Sequence, residues 1–142
     1  MKCKVCENPA GYKYEIKKFK YWRLDLFENQ SYLGRIAFVL KRHGEDLFEI
    51  SEEEKKELFD IVKLYKKNVS KLFKPDLFNY ASQGNNTRHL HLHIMPRYID
   101  KRLFDGTEFI DTRWGENYAP APELTLEDKL LFKIIEAIRK EI

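Results

Sequence analysis

The residues whose types and spacing suit chemistry are His89, His91 and His93, set in the run His89-Leu90-His91-Leu92-His93 and followed by Ile94-Met95-Pro96-Arg97. A strand turns every second side chain to the same face. The spacing therefore predicts three imidazoles in a row over about 13 Å, at roughly 3.3 Å per residue, with Leu90, Leu92 and Ile94 facing a core. Three of the chain's four histidines stand here. Lys, Glu or Thr would serve a plain surface strand equally well, so the pattern marks a functional site. Neighbouring imidazoles about 6.6 Å apart, two rises of 3.3 Å, are too widely spaced for all three to close easily on one tetrahedral ion with Zn–N bonds of about 2.0–2.1 Å. They suit divided labour instead. One can attack phosphorus and form a phosphoryl- or nucleotidyl-histidine, a neighbour can donate where charge develops, and the third can complete a metal site with soft ligands. Cys3-Lys4-Val5-Cys6 is half of such a site by spacing; two unpaired thiols are the alternative. His43 stands at an expected strand exit, where a loop can aim it or leave it a surface residue.

The elements that position these groups follow from periodicity. Positions 12–16 and 19–27 alternate aromatic and β-branched residues and read as strands. In the second, Phe19, Tyr21, Arg23 and Asp25 share one face, and Trp22, Leu24 and Leu26 the other. Positions 33–40 form an apolar strand opened at Gly34 and closed by Lys41-Arg42-His43. Positions 51–73 predict a long helix, with Ser51 and Glu54 as a capping box. Its buried stripe is Leu58, Ile61, Val62, Tyr65, Val69, Leu72 and Phe73, and Pro75 stops it. Positions 77–83 read as a strand antiparallel to the histidine strand. The polar turn Gly84-Asn85-Asn86-Thr87 between them offers donors to phosphate oxygens, although turn chemistry alone also explains the two asparagines. Positions 101–122 read as irregular, and Thr125 with Asp128 opens a last helix running to 142.

The composition sets the frame. With 142 residues, 43% hydrophobic and 14% aromatic, one domain with a proper core is expected. The formal charge of +3 is mildly basic and arises mostly on amphipathic helices. No dense Lys/Arg stripe marks a nucleic-acid surface, so no nucleic-acid partner is expected, whereas a phosphorylated small molecule fits the charge. No apolar run nears the roughly 18 residues of a membrane span, and the N-terminus lacks a signal-peptide pattern. A cytoplasmic protein without a membrane partner is expected.

His89-x-His91-x-His93, with hydrophobic residues between and after and then Pro96-Arg97, resembles the signature of the histidine triad (HIT) family of nucleotide hydrolases and transferases. Asn79-Tyr80-Ala81 followed by Gly84-Asn85 is similar to that family's Asn…Gly-Gln approach. Positions 33–43 resemble its Gly-His-x-Leu-Val-x-Pro-Lys-x-His segment. The resemblance spans roughly residues 1–100. It implies a single α+β HIT-like domain over 1–142, with a core carrying the triad in 1–100 and a C-terminal extension and helix in 101–142. The expected architecture is an antiparallel sheet of about five strands with a long central helix and a C-terminal helix, in a homodimer.

By the same resemblance His91 is the nucleophile, and His93 contacts phosphate and handles the proton. Asn79 and Asn85 touch phosphate oxygens, and Asp25 holds the ribose hydroxyls. Zinc-holding members use a Cys-x-x-Cys, a His after the core strand and the first triad His. The matching residues are Cys3, Cys6, His43 and His89, a closed set that implies structural zinc. Gly34-Arg35 stands where the family has Gly-His, and Asn85 where it has Gln. The Leu-Gly-Arg strand and Trp114-Gly115 resemble a further branch; for Trp114 the alternatives are stacking on a base and packing in the dimer. The activity implied is a hydrolase acting on a phosphoric anhydride or phosphoramidate bond. It cleaves an adenosine-type dinucleoside polyphosphate or a nucleoside phosphoramidate at the α-phosphorus through a nucleotidyl-histidine. A nucleotidyltransferase using phosphate or a sugar phosphate as acceptor, and a nucleotide-binding regulatory protein with vestigial activity, are the alternatives.

Overall fold

Alternation along the strands decides the two faces of the central sheet. A computed structural model describes residues 3–8 and 11–142. Strands β1 (Glu15–Lys18), β2 (Trp22–Leu26), β3 (Ile36–Leu40), β4 (Leu77–Ala81) and β5 (His91–Arg97) pair antiparallel in the order β1-β2-β3-β5-β4. Trp22, Leu24 and Leu26 of β2, Ile36, Phe38 and Leu40 of β3 and Ile94 of β5 are fully buried under the long helix α1 (Glu52–Phe73). The opposite face carries Arg23 and Asp25, Ala37 and Val39, then His91 and His93, aligned across the sheet by the register. β3, the central strand, is an unbroken apolar run whose five residues are all buried.

Helix α1 starts where expected. Ser51 accepts from the Glu54 amide, and the Glu54 carboxylate accepts from the Ser51 amide, so two orphan donors are satisfied reciprocally. Leu58, Ile61, Tyr65, Val69 and Phe73 form the buried stripe. Val62 lies at its margin and Leu72 is exposed. The Glu54 carboxylate also takes two hydrogen bonds from Arg42, at 2.7 and 2.9 Å, which anchors the β3 exit just before His43. Tyr65 donates to the Gly34 carbonyl at 2.5 Å. Gly34 has φ of +90°, and a Cβ there would meet Phe73 and Pro96 at 3.4 Å. The turn that launches β3 therefore needs glycine.

Several boundaries shift for identifiable reasons. Phe19 bonds to Trp22 in a tight turn, and the Glu57 carboxylate accepts from the amides of Lys20, Tyr21 and Trp22. These amides leave the ladder, so β1 lies later and β2 is shorter than the aromatic alternation predicts. The segment expected to be irregular contains a hairpin, β6 (Arg102–Phe104) and β7 (Thr107–Phe109). Asp105 and Gly106 both take positive φ at its tip, the pattern of a tight primed turn. The last helix, α2 (Asp128–Arg139), begins after Glu127, and no side chain caps it. Asp128 instead accepts from Tyr14 at 2.7 Å and pairs with Lys13 at 2.6 Å, which takes it out of the box with Thr125. Leu131, Ile134, Ile135 and Ile138 of α2 join the core, and Asn68 of α1 donates to the Ile138 carbonyl at 2.6 Å. Among the described residues no helix is long and apolar enough to cross a membrane.

Candidate functional site

The open face of the sheet forms the floor of a cleft of about 560 Å³. Its rows run across the strands. Arg23, Val39 and His91 make one row, and Asp25, Ala37, His93 and Ala81 make the next. Small Ala37 and half-sized Val39 leave room above the floor. The segment 82–88 overhangs it with Gly84, Asn85, Asn86 and Thr87, while Tyr118 and Ala119 close another side.

His91 is oriented by its own strand. Its Nδ1 lies 2.7 Å from the His89 carbonyl. A carbonyl only accepts, so Nδ1 carries the proton and Nε2 presents a lone pair. The His93 ring stands edge-on to it, with centroids 4.9 Å apart. His93 also packs edge-on against Phe27 at 5.3 Å, and its Nδ1 is buried without a partner. Burial, with the nearby Arg35 and His91, pushes the His93 pKa down to about 3, so this imidazole is neutral near pH 7.

The other expected residues are distributed unevenly. Asp25 lines the cleft two strands away from His93, across Ala37, and both its oxygens accept from Arg23, at 2.7 to 3.1 Å. Burial still raises its pKa, against the pull of Arg23. Asn85 lines the cleft from the overhanging loop and is exposed. Asn79 does not line it. Its Oδ1 accepts from Arg97 at 2.9 Å, which fastens it to the support of the site. Sequence reasoning missed three residues in the wall: Phe27, Arg35 and Tyr118. A charged residue amid Leu33-Gly34-Arg35-Ile36 was the available signal for Arg35. Tyr118 had none, because it arrives through distant contacts. Arg97 donates to the carbonyls of Arg113 and Glu116, and Tyr32 donates to that of Tyr118.

His89 breaks the expected row. It precedes the paired part of β5 and is buried, and its ring turns to the cysteines. Leu90 bonds to the Gly44 carbonyl and accepts from the Leu40 amide, which holds the backbone there off the regular ladder. Cys3, Cys6, His43 and His89 present ligand atoms that all lie within 4.8 Å of one another. The Sγ–Nδ1 separations Cys3–His89, Cys6–His43 and Cys6–His89 are 3.4, 3.5 and 3.5 Å. A tetrahedral ion with bonds of about 2.3 Å to sulfur and 2.05 Å to nitrogen sets S···N at about 3.6 Å, so the four residues fit such an ion. The other ring nitrogen of His89, Nε2, lies 2.5 Å from the Leu40 carbonyl, an outer contact that fixes Nδ1 of His89 as the ligating atom. The Cys6 backbone amide, above all, lowers the Cys3 pKa to about 6, which favours the thiolate that a metal binds.

Residues 34–100 match the family model of the HIT domain. No curated protein matches the chain. Solved structures share the fold. A hypothetical histidine triad nucleotide-binding protein from Sulfolobus tokodaii is 21% identical, with 98% of this chain and 91% of that one covered and a TM-score of 0.74. A histidine triad protein from Sinorhizobium meliloti is 15% identical over 90% of this chain and 88% of that one, with a TM-score of 0.75. A Zn-bound histidine triad family protein from Mycobacterium smegmatis is 14% identical over 97% and 93%, with a TM-score of 0.66. The α+β chain thus has a HIT-like fold.

Proposed function

We propose that this chain is a histidine triad hydrolase that cleaves a nucleotide at its α-phosphorus through an intermediate on His91. The observation that carries the reading is the His91 Nδ1 contact to the His89 carbonyl at 2.7 Å, which leaves Nε2 as a nucleophile on the cleft floor. Nε2 attacks phosphorus, an N–P bond forms, and the bond from phosphorus to the leaving group breaks with its electron pair going to that group. The imidazole becomes cationic, and its Nδ1–H bond to the carbonyl strengthens as the charge appears. Water then attacks phosphorus on the open side of the cleft, its proton passing to His93 and on to solvent, the N–P pair returns to Nε2, and a nucleoside monophosphate departs. Neutral His93 donates one N–H to a non-bridging oxygen and gains basicity when the anion binds beside it. Asn85 and the amides of the overhanging loop offer further donors, and Asp25 faces the ribose.

Cys3, Cys6, His43 and His89 would hold zinc, whose contribution is structural: a closed four-ligand site fixes the backbone around His89. The enzyme works as a homodimer of single-domain subunits in the cytoplasm, with 101–142 bracing the cleft. The test is mass spectrometry for an adenylyl adduct on His91 after a dinucleotide is added without phosphate. His91→Ala loses more than about a thousandfold in turnover with its unfolding transition retained. Retained turnover, or an adduct on another residue, refutes the assignment.

A further inference from the structure

Two arginines are buried on the cleft side of the sheet, and their surroundings are opposite. Arg97, 3% exposed, uses all five of its N–H groups: two on Asp111, one on Asn79 and two on the carbonyls of Arg113 and Glu116. The guanidinium of Arg35, a residue 6% exposed, donates to no described residue, and its Nε is buried without a partner. No carboxylate among the described residues pairs with it. Its guanidinium carbon lies over the Phe27 ring, 3.9 Å from the centroid, and 5.6 Å from that of Tyr118. Stacking offsets part of the penalty of burying a cation, but an unpaired buried charge still costs several kcal/mol. Such a side chain is retained where an anion arrives to pair with it.

Position says which anion. The register pairs Val39 with His91 and Ala37 with His93, and Arg35 lies two residues before Ala37 on the same face. Arg35 therefore stands beyond His93, on the side away from His91, and lines the same cleft. Asp25, which stands across from Ala37, is already taken by Arg23. We propose that Arg35 binds phosphoryl oxygens of the leaving group, past the scissile phosphorus, and so selects substrates with a polyphosphate chain over those with an amine leaving group. This rests on the α-phosphorus reading above and deepens it. The guanidinium fork matches phosphate geometry, and binding removes the unpaired charge.

The test compares wild-type, Arg35→Met and Arg35→Lys chains on diadenosine tetraphosphate and on an adenosine phosphoramidate with an alkylamine leaving group. Calorimetric binding of inorganic tripolyphosphate is measured in parallel. Methionine keeps the stem over Phe27 without the charge. The expected result is a fall of about thirtyfold or more in the tetraphosphate-to-phosphoramidate ratio of kcat/KM for Arg35→Met, the size of a lost hydrogen bond between charged groups. Lysine restores part of it. Tripolyphosphate affinity falls at least about tenfold in the methionine variant, which melts no lower than wild type because no paired charge was lost. An unchanged ratio, equal loss on both substrates or unchanged tripolyphosphate affinity overturns the proposal. If wild type cleaves neither substrate, the hydrolase reading fails, and the tripolyphosphate measurement alone decides the role of Arg35.

Discussion

Replacing Asp111 with alanine strips the opposite charge from the most enclosed ion pair of the described residues. The side chains of Arg97 and Asp111 are 3% and 0% exposed, and Arg97 Nε donates to Asp111 at 2.7 Å. The same carboxylate accepts from Arg97 Nη2 at 3.2 Å, from the Tyr98 amide at 3.2 Å and from the Arg113 amide at 3.0 Å. Removing one partner of a buried pair leaves an uncompensated charge and costs about 3–5 kcal/mol. At about 3–4 °C per kcal/mol for a chain of this size, the melting temperature should fall by roughly 10–20 °C. A total stability of about 5–15 kcal/mol leaves the variant folded at room temperature, so urea titration can read the loss directly. Asp60→Ala is the control. Its partner Lys56 sits one helical turn away, and the two side chains are 79% (Lys56) and 56% (Asp60) exposed, so solvent screening leaves little or no measurable loss. The pair also holds 111–118 against the sheet, and Tyr118 reaches the cleft through that segment. Asp111→Ala should therefore raise KM for the nucleotide more than it lowers kcat. A loss under about 1 kcal/mol, comparable with Asp60→Ala, would show that burial does not set the worth of this pair.

Two further outcomes follow from the same geometry. His93 is held well below the ordinary imidazole pKa, at about 3, so the unfolded chain binds the extra proton between about pH 6.5 and 3. Wild-type stability should fall as pH drops through that window, and His93→Gln should flatten the slope; equal slopes in urea titrations across the pH series contradict the buried neutral imidazole. Cys6→Ser should lower zinc content from about one per chain to below about a tenth in protein purified without chelator, by opening a four-ligand set. It should also lower the melting temperature and slow turnover while the adduct still forms on His91; unchanged metal content refutes the ligand set.

Much of this was legible locally. The capping box at Ser51 and Glu54 formed because both partners lie within one turn and nothing competes for them. The two faces of β2 followed from alternation, since Trp22, Leu24 and Leu26 had only one core to enter. Failures arose where distant groups intervened. Asp128 could not cap α2 because Lys13 and Tyr14 claim it. Glu57, in the second turn of α1, occupies three amides at the start of β2, and no periodicity in 19–27 reveals that. The hairpin at Asp105-Gly106 did carry a local signal, an Asp-Gly tip between short alternating arms, which the surrounding loop-like composition obscured. Asn79 matched a family position, yet Arg97 holds its oxygen, and that contact depends on residues 111–116.

The histidine strand shows why the spacing is two. An imidazole two residues after a carbonyl on the same strand can fold back to it, and here His91 Nδ1 does so on His89. The side chain of His89 is meanwhile directed elsewhere, to the cysteines and to the Leu40 carbonyl. One residue thus contributes its ring to the metal-ligand cluster and its backbone oxygen to the orientation of the candidate nucleophile. Three imidazoles strictly in line would have left the first ring over the cleft beside the other two. By leaving the ladder before β5 begins, His89 couples the four-residue Cys–His cluster to the tautomer of His91 through a single peptide unit. Two sites share that residue without sharing a side chain.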